Sequence, residues 1–548
     1  MSFLRPRSWT QWVRRLCQAV FLLLFVWTLV VTHLAQVDNV PPLLRFYFQL
    51  DPLVLTATWL SSHAVPAALL VAFITVGVTL LLGRVFCGWF CPFGTLHNIF
   101  SWLRSRRETP TPPETRSPWQ RAKYIVLIAL LVMALFGVHW IGVLDPFSFL
   151  YRSGVTAVLP AIQYGVEDAS TAIYVADPKI GPFRATSVSE PVYRFLRDQV
   201  FRAPGQAFYG SIGVGILFVA VLVLNWVKPR FWCRYICPLG ALLGVLAQRP
   251  VMRLRNEESL CNNCGKCSTA CPAAAQPDKR GDWLPTECFG CWNCVAACNF
   301  KAISFEFRSP FPRPAMGRLD LSRRTAVQAA LAGVTGIFLM RLTPQAQEKN
   351  YNPELIRPPG ALRERQFLQK CIQCGLCMRV CPTTALHPCG FESGLEGLWT
   401  PRLIPKIGYC EYNCNLCGQV CPTGAIQSLA LEEKQQVKLG LATIDTTRCL
   451  PYAYGRSCII CEEHCPVPQK AIYLVEREVR LPNGKTTVLK QPQVDPDRCI
   501  GCGMCENVCV FSDRAAIRIT SANESRNSDN QPILPMAPES SESTPYGS

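Results

Sequence analysis

The chain has 548 residues, 30 of them cysteine, with 49% hydrophobic residues and a formal net charge of +17. A chain of this length buries cores of its own, so its cysteines are not the staples of a small secreted fold. The basic excess comes with no nucleic-acid-binding motif, and it is accounted for by basic loops flanking apolar segments.

Residues 1–252 read as a transmembrane domain. Four apolar runs, Leu16–Val37, Ala64–Phe86, Ala122–Leu144 and Phe208–Val227, are each long enough to cross a bilayer, which takes about 20 mainly apolar residues. The first is too long for a signal-peptide core and no small-residue cleavage site follows it, so it reads as a retained anchor. Arg5, Arg7, Arg14 and Arg15 precede the first run. Arg104, Arg106, Arg107, Arg116, Arg121 and Lys123 fill the loop between the second and third, and Lys228, Arg230, Arg234, Arg249, Arg253 and Arg255 follow the fourth. By the positive-inside rule these three regions face the cytoplasm of a bacterial inner membrane. His33, His63 and His139 then fall near the outer ends of the spans, with Asp38 and Asp145 close by. A histidine titrating near neutral pH is a candidate proton acceptor; an interfacial hydrogen-bonding role is the plain alternative, and haem ligation by His33 and His139 is the weakest option.

Within this half a thirteen-residue pattern occurs twice. Residues 84–96 read RVFCGWFCPFGTL and residues 230–242 read RFWCRYICPLGAL. Both fit R-x2-C-x3-C-P-x-G-x-L and both sit at the cytoplasmic end of an even-numbered span. Cysteines four apart share one helical face, so Cys87 with Cys91 and Cys233 with Cys237 are candidates for a joint metal site or a redox pair if the two motifs meet.

Six cysteine quartets follow residue 260 and use twenty-four of the cysteines. Four read C-x2-C-x2-C-x3-C: Cys261/Cys264/Cys267/Cys271, Cys288/Cys291/Cys294/Cys298, Cys371/Cys374/Cys377/Cys381 and Cys499/Cys502/Cys505/Cys509. Two are stretched at the first gap: Cys410/Cys414/Cys417/Cys421 and Cys449/Cys458/Cys461/Cys465. This is the bacterial ferredoxin run, in which three close thiolates and the fourth of a neighbouring run hold each [4Fe-4S] cube. Zinc sites instead favour separated C-x2-C pairs. Up to six cubes are therefore expected. Residues 253–308 form a two-cluster ferredoxin domain, with Cys261, Cys264, Cys267 and Cys298 around one cube and Cys288, Cys291, Cys294 and Cys271 around the other.

Residues 309–362 form a linker. It contains Arg318–Met340, in which Ser322-Arg323-Arg324 precedes a small-residue apolar stretch. This looks like a twin-arginine export signal and is a candidate fifth membrane segment; an amphipathic cytoplasmic helix is the alternative. Residues 363–520 form a four-cluster ferredoxin domain, with Cys389 as a spare thiol. Residues 521–548, rich in Ser, Asn, Pro and Glu, read as a disordered tail.

The membrane half, with its two C-x3-C-P motifs and two-cluster segment, resembles the NapH-type subunit of periplasmic nitrate reductase systems and the related MauN-type protein. The second half resembles the NapG/MauM-type four-cluster ferredoxin, on Gly397–Pro422 (GLWTPRLIPKIGYCEYNCNLCGQVCP) and Arg448–Ile472 (RCLPYAYGRSCIICEEHCPVPQKAI). The chain thus looks like a fusion of two subunits. The expected architecture is an α-helical transmembrane bundle of four spans and a candidate fifth, followed by two α+β ferredoxin-like domains.

The resemblance implies a quinol dehydrogenase-type electron carrier. It would take electrons from the membrane quinone pool and pass them to an extracytoplasmic redox enzyme or cytochrome, such as periplasmic nitrate reductase, with no nucleic-acid partner. Its N-terminus and first ferredoxin domain would lie in the cytoplasm and its second ferredoxin domain outside. Nested pairing of the four distal quartets, first with fourth and second with third, is expected from four-cluster relatives, with adjacent pairing as runner-up. An electron donor for maturation or reactivation of a metalloenzyme is the alternative function. Outward-lying histidines and inward-lying cysteine modules leave the route between the two sides open.

Overall fold

The computed structural model describes residues 8–32, 40–105, 116–177, 179–180, 183–201, 207–278, 283–309, 321–341, 352–480, 484, 486–527 and 530. His33 and Asp38 lie outside these residues, as do 531–548 of the expected tail. The chain divides into two units. One is Met1–Asn350 with Gly360–Arg402 and Cys414–Leu429; the other is Tyr351–Pro359, Leu403–Asn413 and Ala430–Ser548. The expected four-cluster domain is therefore split, its first part belonging with the apolar helices.

The first unit begins with helix α1 (Trp9–Val31). Asp51 caps α2 (Pro52–Ser62), its carboxylate accepting from the N–H groups of Leu53 and Val54. The next apolar run enters as a 3₁₀ turn and continues as α3 (Ala72–Leu82), where Gly83 (φ +74°) turns the chain. Two short helices carry the first repeated motif, α4 (Val85–Trp89) and α5 (Pro92–Ser105). Helix α6 (Ala122–Leu135) follows, and Asp145 caps α7 (Pro146–Ser153) by accepting from Ser148 N–H. Helix α8 (Ser211–Val223) leads to the second motif, on α9 (Phe231–Tyr235) and α10 (Pro238–Leu246). Proline at the first turn of α5, α7 and α10 suits positions whose N–H has no helical partner.

Among the described residues two helices are long and apolar enough to cross a membrane, Trp9–Val31 and Pro118–Leu135. The other two expected spans are shorter apolar helices, Ala67–Leu82 and Ser211–Trp226. The expectation of four full-length spans is corrected accordingly: α3 stops at Gly83, and the fourth run tightens into a 3₁₀ turn at Leu224–Trp226. The stretch that follows the third apolar run is partly buried helix, since every residue of α7 is buried.

The two-cluster module closes with antiparallel strands β1 (Met252–Asn256) and β2 (Ile303–Phe307), Met252 opposite Phe307. Helix α11 (Arg323–Arg341) starts behind Ser322, whose hydroxyl accepts from Thr325 N–H at 3.2 Å. It is not among the helices apolar enough to qualify as a span, because Arg323, Arg324 and Gln328, with its Gly and Thr residues, lower its hydropathy. It packs parallel to α6. A Cβ on Gly333 would stand 2.7 Å from Ala129 O and one on Gly336 3.2 Å from Met133 Sδ, while Arg341 donates to Phe136 O at 2.9 Å.

In the second unit, β3 (Leu441–Ile444) pairs antiparallel with Ile517–Thr520, and Ile472–Arg480 pairs antiparallel with Thr486–Val494. Ser521, Ala522 and Glu524 are buried, so order runs past the expected start of the tail.

Candidate metal centres

Within the first unit, the two-cluster module and residues 360–402 pack on opposite ends of the same apolar helices. At the start of α1, Arg14 donates to Cys291 O at 2.9 Å; near its end, Leu29 O accepts from Arg379 Nε at 2.8 Å. At the start of α6, Lys123 and Tyr124 bind the Glu287 carboxylate, Tyr124 at 3.0 Å. Beyond its end, Ser61 and Arg152 donate to the carbonyls of Gln369 and Gln373, at 2.5 and 2.9 Å. The helical stretch Pro118–Leu135, 18 residues, is about 27 Å long at 1.5 Å per residue.

The two-cluster module has the expected ligand exchange. Cys261, Cys264, Cys267 and Cys298 line one cavity. Cys271 lies beside Cys291 and Cys294, which neighbours Cys288. In the second unit, Cys449, Cys458, Cys461 and Cys509 line one cavity, and Cys465, Cys499, Cys502 and Cys505 another. In the first unit, Cys377 lies beside Cys371, Cys374 and Cys421. Among the distal runs, the fourth cysteines Cys421, Cys465 and Cys509 thus join the adjacent run, and the expectation of nested pairing is corrected to adjacent pairing. Cys381, Cys414 and Cys417 lie in the first unit and Cys410 in the second.

The four-thiol cavities fit cubes. Burial pushes the thiols up, Cys271 to about 11, Cys288 to about 12 and Cys461 to about 12, so in the absence of iron they stay protonated; iron binding displaces the protons. Backbone N–H groups donate to three of the exchanged sulfurs: Ala275 to Cys271 at 3.4 Å, Ile426 to Cys421 at 3.5 Å and Ala516 to Cys509 at 3.3 Å. Such bonds tune cluster potentials. Among the described residues no three His, Cys, Asp or Glu side chains form a group that could hold a metal ion as they stand.

The two C-x3-C-P motifs do meet. Cys87, Cys91, Cys233 and Cys237 are all buried, and each lies within electrostatic reach of the other three. Gly94 N–H donates to Cys91 Sγ at 3.4 Å and Gly240 N–H to Cys237 Sγ at 3.2 Å.

A second meeting escaped the sequence reading. Asp51 and Asp145, both fully buried, lie within hydrogen-bonding reach of each other. Asp51 Oδ2 and Asp145 Oδ1 have no hydrogen-bond donor, and one proton shared between them would satisfy both. The available signal was a repeated Leu-Asp-Pro, at 50–52 and 144–146. Of the candidate histidines, His139 is buried with Nε2 3.5 Å from Thr58 Oγ1, and its carbonyl accepts from Gln373 at 3.4 Å. His63 is exposed at the end of α2, away from any such pairing.

Comparison with known proteins agrees with the cysteine pattern. Models described as a 4Fe-4S binding domain match residues 64–110, 211–256 and 417–432, and, separately, 368–387. Models described as a 4Fe-4S dicluster domain match 253–299 and 454–512. YccM of Escherichia coli (strain K12), named for a candidate role in electron transport, is 30% identical over 46% of this chain, which spans 58% of that protein's length. The ferredoxin-type protein NapG of the same organism is 35% identical over 38% of this chain and 87% of its own. The methylamine utilization ferredoxin-type protein MauM of Methylorubrum extorquens is 36% identical over 34% of this chain and 83% of its own. No solved structure matches the chain. Identity of 36% with MauM over 83% of its length and of 35% with NapG over 87% of its length, together with the cysteine-lined cavities, places the chain in the family of ferredoxin-type iron–sulfur electron-transport proteins.

Proposed function

We propose that the chain is a membrane-bound iron–sulfur carrier that oxidises quinol and delivers electrons through its [4Fe-4S] clusters to an extracytoplasmic redox enzyme. The observation that carries this reading is the placement of cysteine quartets at both ends of α1 and α6. Apolar side chains exposed along the helices, including Leu23, Phe73, Ile74, Ile216 and Phe338, form the belt that lipid would cover. The two shorter apolar helices and α11 complete the bundle, and α11 carries the chain from the cytoplasmic module to the outer one. On this reading the chain is a NapH/MauN-type membrane protein joined to a NapG/MauM-type ferredoxin.

The clusters supply one-electron storage when bound. A quinol gives up two electrons in two steps and two protons, leaving quinone. Asp51, Asp145 and His139 are buried proton acceptors near the outer quartet. Arg152 links the two: it neighbours Asp145, Cys371 and Cys374 and stacks 4.3 Å over Trp399. Outer proton release beside an outer cluster removes the mismatch between outward histidines and inward cysteines.

The test is anaerobic titration of the purified full chain with a quinol analogue, followed at the cluster absorbance. Reduction at a rate matching turnover, two electrons per quinol, is expected. Clusters that dithionite reduces and quinol leaves oxidised would favour a donor role in metalloenzyme maturation instead.

A further inference from the structure

We propose that Cys87, Cys91, Cys233 and Cys237 together hold one further iron–sulfur cluster, shared between the two halves of the bundle and lying between the inner and outer ferredoxin clusters. Each of the matched segments 64–110 and 211–256 contains only two cysteines, so neither completes a cluster alone. The fold supplies four by bringing the repeats together.

The surroundings are built for an anion. Arg84 is fully buried; its Nη1 donates to Thr286 O at 2.8 Å and pairs with Glu287 at 3.4 Å, while its Nε and Nη2 have no hydrogen-bond partner. A Cβ on Gly240 would stand 2.7 Å from that Nη2 and 3.4 Å from Cys237 Sγ, so the unpartnered nitrogen lies near that thiol. Arg230, also buried, donates to Cys87 O at 3.2 Å and lies 3.8 Å from where a Cβ on Gly94 would be. Each repeat's arginine therefore reaches the other repeat's helix start. A buried guanidinium with idle donors is costly. An iron–sulfur core with four thiolates, being anionic, satisfies it; four neutral thiols do not.

The position also suits a relay. Phe289, between two ligands of the inner module, has Arg84 at 5.1 Å and Arg230 at 4.6 Å from its ring centre. On the other side Trp232, next to Cys233, stacks 5.2 Å from Phe149. Phe149 lies 5.9 Å from the Arg152 guanidinium, which covers Trp399. The cluster would accept one electron and pass one on, with no bond made or broken. This deepens the carrier reading, but iron content answers it whether or not quinol reduces the chain.

The experiment compares full-length wild type with the double variant C91S/C237S, prepared anaerobically in parallel. The variant is expected to lose two iron and two sulfide per chain for a [2Fe-2S] core, or four of each for a [4Fe-4S] core, and one paramagnetic species. Equal iron and sulfide in both, or loss of a single zinc, would overturn the proposal. As a check that needs no variant, wild-type iron and sulfide should exceed what the six quartets hold, by two of each for a [2Fe-2S] core or four of each for a [4Fe-4S] core. A wild type whose four thiols are recovered as disulfides, with no iron beyond that of the six quartets, would equally overturn it.

Discussion

Glu287 gathers three buried groups, Arg84 at 3.4 Å, Lys123 and the Tyr124 hydroxyl. Removing one partner of a buried charge set costs about 3–5 kcal/mol. E287Q is therefore expected to loosen the inner module, measured as faster loss of iron from the two-cluster segment to a chelator. The Asp51–Asp145 pair has a different signature. D51N or D145N should slow quinol-driven reduction at least tenfold (about 1.4 kcal/mol or more of barrier) and leave dithionite reduction unchanged; slowing of both would mark a structural role. That the cysteines would gather in fours was readable in advance because iron–sulfur ligation fixes cysteine spacing. Asp51 was not, because Leu-Asp-Pro is a short pattern that also serves as an ordinary helix start.

Among the elements, α11 departs most from ordinary span composition. Its small residues are explained by contact: Ala329 is buried, and Gly333 faces Ala129 O too closely for a side chain. Small residues let helix backbones approach in this way. G333L should push α11 off α6, lowering the thermal midpoint of the purified protein, whereas L331A on the exposed face should not. The apolar runs were legible as helices but not in their lengths, because Gly83 and the 3₁₀ turn at Leu224–Trp226 end them early. Adjacent pairing of the distal quartets was likewise not legible: the run tells that a fourth cysteine leaves, and only the fold tells which neighbour receives it.

At the scale of the whole molecule, the proposed function makes the chain a conductor between compartments, with α11 as its crossing point. The most direct test joins a reporter active only outside the cytoplasm to full-length-derived fusions ending after Ser309 or after Pro344. The account predicts no activity after Ser309 and full activity after Pro344. Inactivity at both positions would leave every cluster in the cytoplasm and contradict the crossing.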